Sequence, residues 1–458
     1  MANSVSEELV RVKELINEGK FKIALSRIKE LEKRKTIEPE ELLRILKYKI
    51  KAHSLMGEFE IGLELSEQFY QKSQEFNLPL YILDALTAKM LIFESLGRIE
   101  EGLPLFGEYN SLFKSIPRDN SLEFREREAE WFGLKAAINC MRSRLDLAIE
   151  QSNISLNLRL DLDIFDIDIL TTQAALAGCH EMKGELNIAL ELNNKVLAQI
   201  PKVEYYFPMR FMAMIQTGIG NIYYQKQDLD TALNNYKNSL DIYKRIIAGP
   251  WMSWTFFDII KVLVAKGNRD EAIEYLRQFK YFTEESINKP FYEQTYSTYQ
   301  LSCAFFLNSS SRMHDRAEAE NTLKKIIEKH QGNTFFVSII NTAIIALCDW
   351  YFNEFRIFNQ LEILDDIAPL IVNLQLNATQ QNSFSILANV KLLQAKLAIL
   401  QNNMVEARKL LTDAQKIAEK HDLRMLAGEI SREHDRLLEE LKSWDSVKKT
   451  QASVTERL

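Results

Sequence analysis

A short signature recurs along this chain: a turn residue, then a small residue about five positions later, followed by an aliphatic one. It reads GKFKIAL from Gly19, GEFEIGL from Gly57 and GRIEEGL from Gly97. It continues as SRLDLAI from Ser143, GELNIAL from Gly184, QDLDTAL from Gln227 and GNRDEAI from Gly267, and returns as NNMVEAR from Asn402. The small residues fall at Ala24, Gly62, Gly102, Ala148, Ala189, Ala232 and Ala272, spaced 38, 40, 46, 41, 43 and 40 residues apart. A period of this length marks one supersecondary unit stacked many times over, in which each unit contacts only its neighbours.

The signature has a physical reading. Gly or Asn adopts the left-handed conformation that ends one helix, and a short polar turn starts the next. A small side chain on the second helix lets two helix axes approach closely. Each unit is therefore a helical hairpin, and the predicted fold class is all-α, a right-handed α-solenoid of about ten antiparallel helix pairs. Composition agrees, because 15 Gly and 9 Pro in 458 residues leave long segments without breakers. A strand-rich chain of this length would spend about twice as many Gly on turns.

Residues 1–296 are expected to hold about seven pairs. Residues 297–376 read as degenerate pairs: Ala319 with Leu323 and Ile326 fits a second helix after the SSSRMHD loop, and Asn353 takes a turn position without a following small residue. Residues 377–442 hold a clear pair around Ala407, with Leu397, Leu411 and Ala414 at helical spacing, and a last helix about Asp422 to Leu441. That helix carries Arg424, Glu429, Arg432, Glu433, Asp435 and Arg436, the polar cap that a repeat array needs at its open end. The tail over 443–458 is expected to be disordered.

Hydrophobic residues at 46% suffice for a core, and the net charge of −7 gives no sign of a nucleic-acid binder. Arg11 to Lys51 holds thirteen Lys or Arg against seven Asp or Glu, a solvated face in the absence of nucleic-acid motifs. Cys140, Cys179, Cys303 and Cys348 form no CxxC pair and read as reduced packing residues of a cytoplasmic protein. The opening MANSVSEELVRVKELINEG lacks an apolar core preceded by basic residues, so no secretory signal is expected, and no apolar run is long enough to span a membrane.

Met212 to Lys244 resembles the tetratricopeptide repeat. Ile219-Gly220 matches the family's Leu-Gly, Tyr223 its tyrosine, Ala232 its alanine and Tyr236 the aromatic of its second helix, while Gln216 replaces its tryptophan and Lys244 its closing proline. The preceding unit keeps Leu176, Ala177, Ala189 and Pro201. The period exceeds the usual 34 residues, as in the extended repeats of kinesin light chains and of the sensor arrays in large bacterial transcription regulators. This chain has no room for those regulators' nucleotide-binding and helix-turn-helix modules.

The resemblance implies a protein or peptide partner held in a concave groove lined by the first helices. Carried over residue by residue, the groove positions are Thr217, Asn221 and Tyr224, then Trp254, Phe257, Asp258 and Lys261. Upstream the stripe passes through Arg44, Lys47, Tyr48 and Lys51, then Asp84 and Thr87. Asn221 stands where the family uses Asn to hold a peptide backbone. Trp254 and Phe257 are expected to form an apolar pocket, with Lys261 facing an acidic side chain or chain terminus. The central units lack the Lys, Asn and Arg set of the family's chaperone-tail clamp.

Chemistry is otherwise unsupported. GxxxxGK[ST], GxSxG, HExxH and GxGxxG are absent, and His53, His180, His314, His330, His421 and His434 are scattered over different units. Asp161, Asp163, Asp166 and Asp168 crowd one segment but lack the Gly and closing Glu of a calcium loop. The expectation is a non-enzymatic adaptor or scaffold without metal, cofactor, nucleic acid or membrane. The alternative is a sensor in which a ligand or peptide alters docking of an effector. Exposed solenoid ends leave both a monomer and an end-to-end homodimer open.

Overall fold

The computed structural model of the chain describes residues 4–34, 36–96, 98–142, 144–162, 167–200, 206–246, 249–333, 336–358 and 363–438. Helices alternate with short turns in antiparallel pairs: α1 (Val5–Asn17) with α2 (Phe21–Leu31), α3 (Pro39–Met56) with α4 (Phe59–Glu75), α5 (Pro79–Ser95) with α6 (Ile99–Ser115), α7 (Leu122–Met141) with α8 (Leu145–Asp161) and α9 (Ile167–Lys183) with α10 (Leu186–Gln199). The series runs on through α11 (Tyr206–Gln225) and α12 (Leu229–Ile246), α13 (Gly249–Ala265) and α14 (Arg269–Glu285), α15 (Tyr292–Asn308) and α16 (Met313–His330), α17 (Val337–Phe358) and α18 (Ile363–Gln381), and α19 (Phe384–Leu400) and α20 (Met404–Lys420). A last helix, α21, covers 424–438. The described residues include no strand.

The turns explain the pairs. Gly19, Gly57, Gly184 and Gly267 have φ between 76° and 90°, and Gln227 and Asn402 take the same left-handed conformation at 65° and 59°. Helix starts are marked as well: Ser4 and Glu7 form a capping box, Ser121 caps α7, and Pro39 and Pro79 open α3 and α5. Gly97 and Ser143 lie outside the described residues.

Ala24, Ala148, Ala189, Ala232, Ala272 and Ala407 are fully buried on the second helices. At Gly62 a side chain would come within 3.1 Å of Ile92 and Ser54, so this unit needs the smallest residue.

No single core exists. Apolar clusters follow one another along the chain, from the Leu9–Phe21–Ile28 group to the Leu323–Ile344–Ile371 group, each shared by adjoining helices. Consecutive helices pack side by side, and the first helices also touch one another, α3 with α5, α9 with α11 and α13 with α15. This is an α-solenoid whose first helices line the inside. Cys140 on α7 and Cys179 on α9 meet thiol to thiol, and all four cysteines are free.

The solenoid also touches itself. Lys13 on α1 reaches Glu126 on α7, Arg210 on α11 binds Glu94 at 2.8 Å and Ser95 on α5, and the turns before α19 and after α20 meet α8 to α11. The last helix is therefore more than a cap. Its Leu426, Ile430 and Leu437 share a cluster with Leu186, Ala189 and Ile222, residues from the middle of the chain.

Candidate functional site in the inner groove

Among the first helices α9, α11 and α13, polar side chains converge on one wall. Asn221 Nδ2 donates to Glu181 Oε1 at 2.8 Å, and the buried Tyr236 hydroxyl donates to Asn221 Oδ1 at 2.7 Å. The second Glu181 oxygen lies beside Gly218, where a side chain would come within 3.4 Å of it. Burial pushes the Glu181 carboxyl up to about 7, against the hydrogen bond from Asn221 that favours its charged form.

Lys261 lies alongside. Its ammonium is 2.7 Å from Asp258 Oδ1 and 4.4 Å from the centre of the Tyr224 ring. Burial disfavours the ammonium, but Asp258, Tyr224 and Glu181 more than offset that, so Lys261 is held protonated.

The facing wall comes from α17, α19 and α21. Lys396 Nζ sits 2.9 Å from Asp349 and 2.7 Å from Glu429, and Arg356 binds Glu433 at 3.0 Å. Burial raises the Tyr224 pKa and Glu429 adds to it, as Asp258 does, so α21 lies within electrostatic reach of the α11 wall. The groove is thus bounded by two charged walls, and Glu181 is the carboxylate without an ion pair among those described.

The other expected groove residues divide. Phe257 is 2% exposed and packs edge-on against Phe305 at 5.2 Å, so it belongs to the core and not to an open apolar pocket. The physical reason is packing: Phe257 lies one turn before Lys261, whose ammonium stands 5.3 Å from its ring centre, but Phe305 of α15 and the Lys261 side chain cover it. Trp254 is half-buried on Phe257. Thr217 spends its hydroxyl on Ala213, Ser239 and Thr255 between α11, α12 and α13.

In the N-terminal units Lys47 lies 3.1 Å from Asp84, and Arg127 of α7 donates to the same carboxylate at 2.6 Å and to the Leu80 and Glu123 carbonyls. Asp84 and Arg127 are 4% and 3% exposed, so this cluster ties three inner helices together. Arg44 donates to Ser6 of α1, and Tyr48 packs on the N-terminal core. Lys51 and Thr87 stand on α3 and α5. Sequence reasoning did not single out Glu181 or Lys396, and it read Glu429 as part of a polar cap.

Ser297 Oγ lies 2.8 Å from His330 Nε2, but Ser297 is fully buried, Glu293 approaches the same nitrogen, and the ring stacks on Phe336. This arrangement packs α15 against α16 and offers no open nucleophile. Asp161 reaches Arg125 at 3.8 Å, while Asp163, Asp166 and the side chain of Asp168 lie outside the described residues. No group of metal-binding side chains occurs among the described residues, and no helix there is long and apolar enough to cross a membrane.

A family model for the tetratricopeptide repeat matches residues 211–278, which carry α11 to α14. Over those residues the chain carries the tetratricopeptide repeat. Its repeats are similar to the crystal structure of a Rap protein complexed with competence and sporulation factor, at 12% identity and a TM-score of 0.53, over 91% of this chain and 99% of that one. They are similar too to the apo quorum sensor NprR from B. thuringiensis, at 13% identity and 0.53 over 80% and 98% of the two chains. NprR in complex with its cognate peptide NprX gives 15% identity and 0.50 over 79% and 99%. At these identities the likeness is one of fold. No curated protein matches the sequence.

Proposed function

We propose that this chain binds an extended peptide segment in its inner groove and passes the occupancy on to another protein, with no chemistry of its own. The observation that carries this reading is the wall formed by Glu181, Asn221 and Lys261: a side-chain amide, a carboxyl without an ion pair and a held cation, all inside a groove. An amide suits a peptide backbone, and the Glu181 carboxyl suits a basic side chain or a chain amine. The peptide-responsive form is favoured over a passive scaffold by likeness in fold to NprR, solved with its cognate peptide, and to Rap, solved with competence and sporulation factor.

The test is selection from a displayed random-peptide library on the full chain, followed by fluorescence anisotropy on wild type, Glu181→Gln and Asn221→Ala. The expected result is enrichment of peptides with a basic group at one position, whose affinity falls roughly tenfold or more in both variants. Peptides that bind all three proteins equally would move the site elsewhere, and no enrichment at all would refute the reading. Phe257→Ala is unsuitable as a probe, since emptying a core position costs about 3–5 kcal/mol of stability.

A further inference from the structure

Besides the contacts of α1 with α7 and of α11 with α3 and α5, distant repeats meet at a seam between the middle and the end of the chain. On one side stand Asp146 at the start of α8, Met182 to Glu185 at the α9–α10 turn, and Lys226 at the end of α11. On the other stand the turn from Asn382 to Ser385 and the turn from His421 to Leu423. Asp146 bridges Lys183 at 2.6 Å and Asn382 at 2.7 Å, Ser383 Oγ donates to the Met182 carbonyl at 2.8 Å, and Lys226 pairs with Asp422 at 2.6 Å. Phe384 stacks on His421 with centroids 3.9 Å apart, and Lys183 lies over the Phe384 ring. Gly184 lies against the Asn382–Ser385 turn, where a side chain would meet the Ser385 backbone nitrogen at 3.4 Å, ordinary van der Waals contact.

We propose that this seam is a releasable clasp that sets the width of the inner groove. It rests on the groove's being the binding site. The two walls are joined on one side by the continuous run of repeats from α13 to α17 and on the other by the seam. Opening it breaks side-chain contacts and parts Leu186, Ala189 and Ile222 from the apolar cluster they share with α19, α20 and the last helix, while the consecutive helix pairs stay joined. A small rotation at each intervening interface is enough, because a solenoid distributes bending over its repeats. Release carries Glu429 and Lys396 away from Tyr224 and Lys261, and an occupant too wide for the closed groove favours the open state.

The test uses the full chain without ligand. Asp146→Ala/Lys226→Glu removes the Asp146–Asn382 and Lys226–Asp422 contacts of the clasp and leaves the Ser383 hydrogen bond. Lys266→Glu is the control, since Lys266 holds the same place in the next repeat but pairs with Asp230 of the adjoining unit. Small-angle scattering should show a larger maximum dimension in the clasp variant. Amides of 184–190, 384–390 and 424–430 should exchange roughly three- to tenfold faster, with α1 to α4 unchanged and neither effect in the control. Unchanged dimensions, or faster exchange along the whole chain, would overturn the clasp. A chain that opens yet selects no peptide would sink the binding reading alone, and a rigid seam in a chain that binds peptide would sink the clasp alone.

Discussion

Glu181 couples this groove to pH. Its carboxyl binds a proton more tightly in the folded chain, at about 7, than at the ordinary 4.5, because burial penalises the charge. The stability it contributes is therefore complete below about 4.5 and is lost as pH rises toward about 7. Glu181→Gln keeps an oxygen for Asn221 and removes the titration. Thermal melts should place the variant level with wild type near pH 5 and above it near pH 8, by on the order of 2 kcal/mol. Parallel profiles across that range would show that Glu181 is solvated like a surface acid. The sequence led to Asn221, Tyr224, Asp258 and Lys261 through the repeat register, and the same register held Glu181. It stands three residues before the turn glycine Gly184, as Tyr224 stands three before Gln227. Phe257 went astray because the register fixes a position along a helix, while packing of α13 on α15 decides whether that position is covered.

Helix pairs were legible because their punctuation is local. A left-handed turn residue and a small buried residue a few positions on are both set within one unit, and even Gln227 was recognisable as a turn residue from its neighbours. The distance between paired helices is a subtler matter, and Gly220 shows it. A side chain there would lie 2.6 Å from the Tyr236 ring, which is fully buried and hydrogen-bonded to Asn221. Gly220→Ala gains about 1 kcal/mol of helix propensity. It must push α11 from α12 or turn Tyr236 off Asn221, an overpacking cost of about 1–3 kcal/mol. Chemical denaturation should show a net loss of stability and weakened peptide binding together, whereas a stabilised variant would mean that the α11–α12 spacing adapts freely.

At the scale of the molecule, the sequence could not show that the array closes on itself. A repeat pattern specifies each neighbour contact, but whether repeats far apart meet depends on small rotations summed over many interfaces. The charged last helix read as a cap for an open end, yet its Leu426 and Ile430 belong to the same apolar cluster as Leu186, Ala189 and Ile222. That shared cluster makes a non-local prediction. In an open solenoid, truncation after Lys420 would loosen α19 and α20 and leave units further away untouched. Here it removes Asp422 from Lys226 and takes Leu423, Leu426 and Ile430 out of the cluster that holds Leu186, Ala189 and Ile222, so faster amide exchange should appear in two separate stretches, 384–420 and 184–225. The repeats between them, α13 to α16, should keep their protection, because their cores extend to α11 and α12 on one side and to α17, α18 and α19 on the other but hold no residue of α20 or of the last helix. Exchange that decays smoothly inward from the cut would mean that the middle of the chain holds its shape without the C-terminal helix, and that coupling between the two groove walls runs only through the repeats that join them.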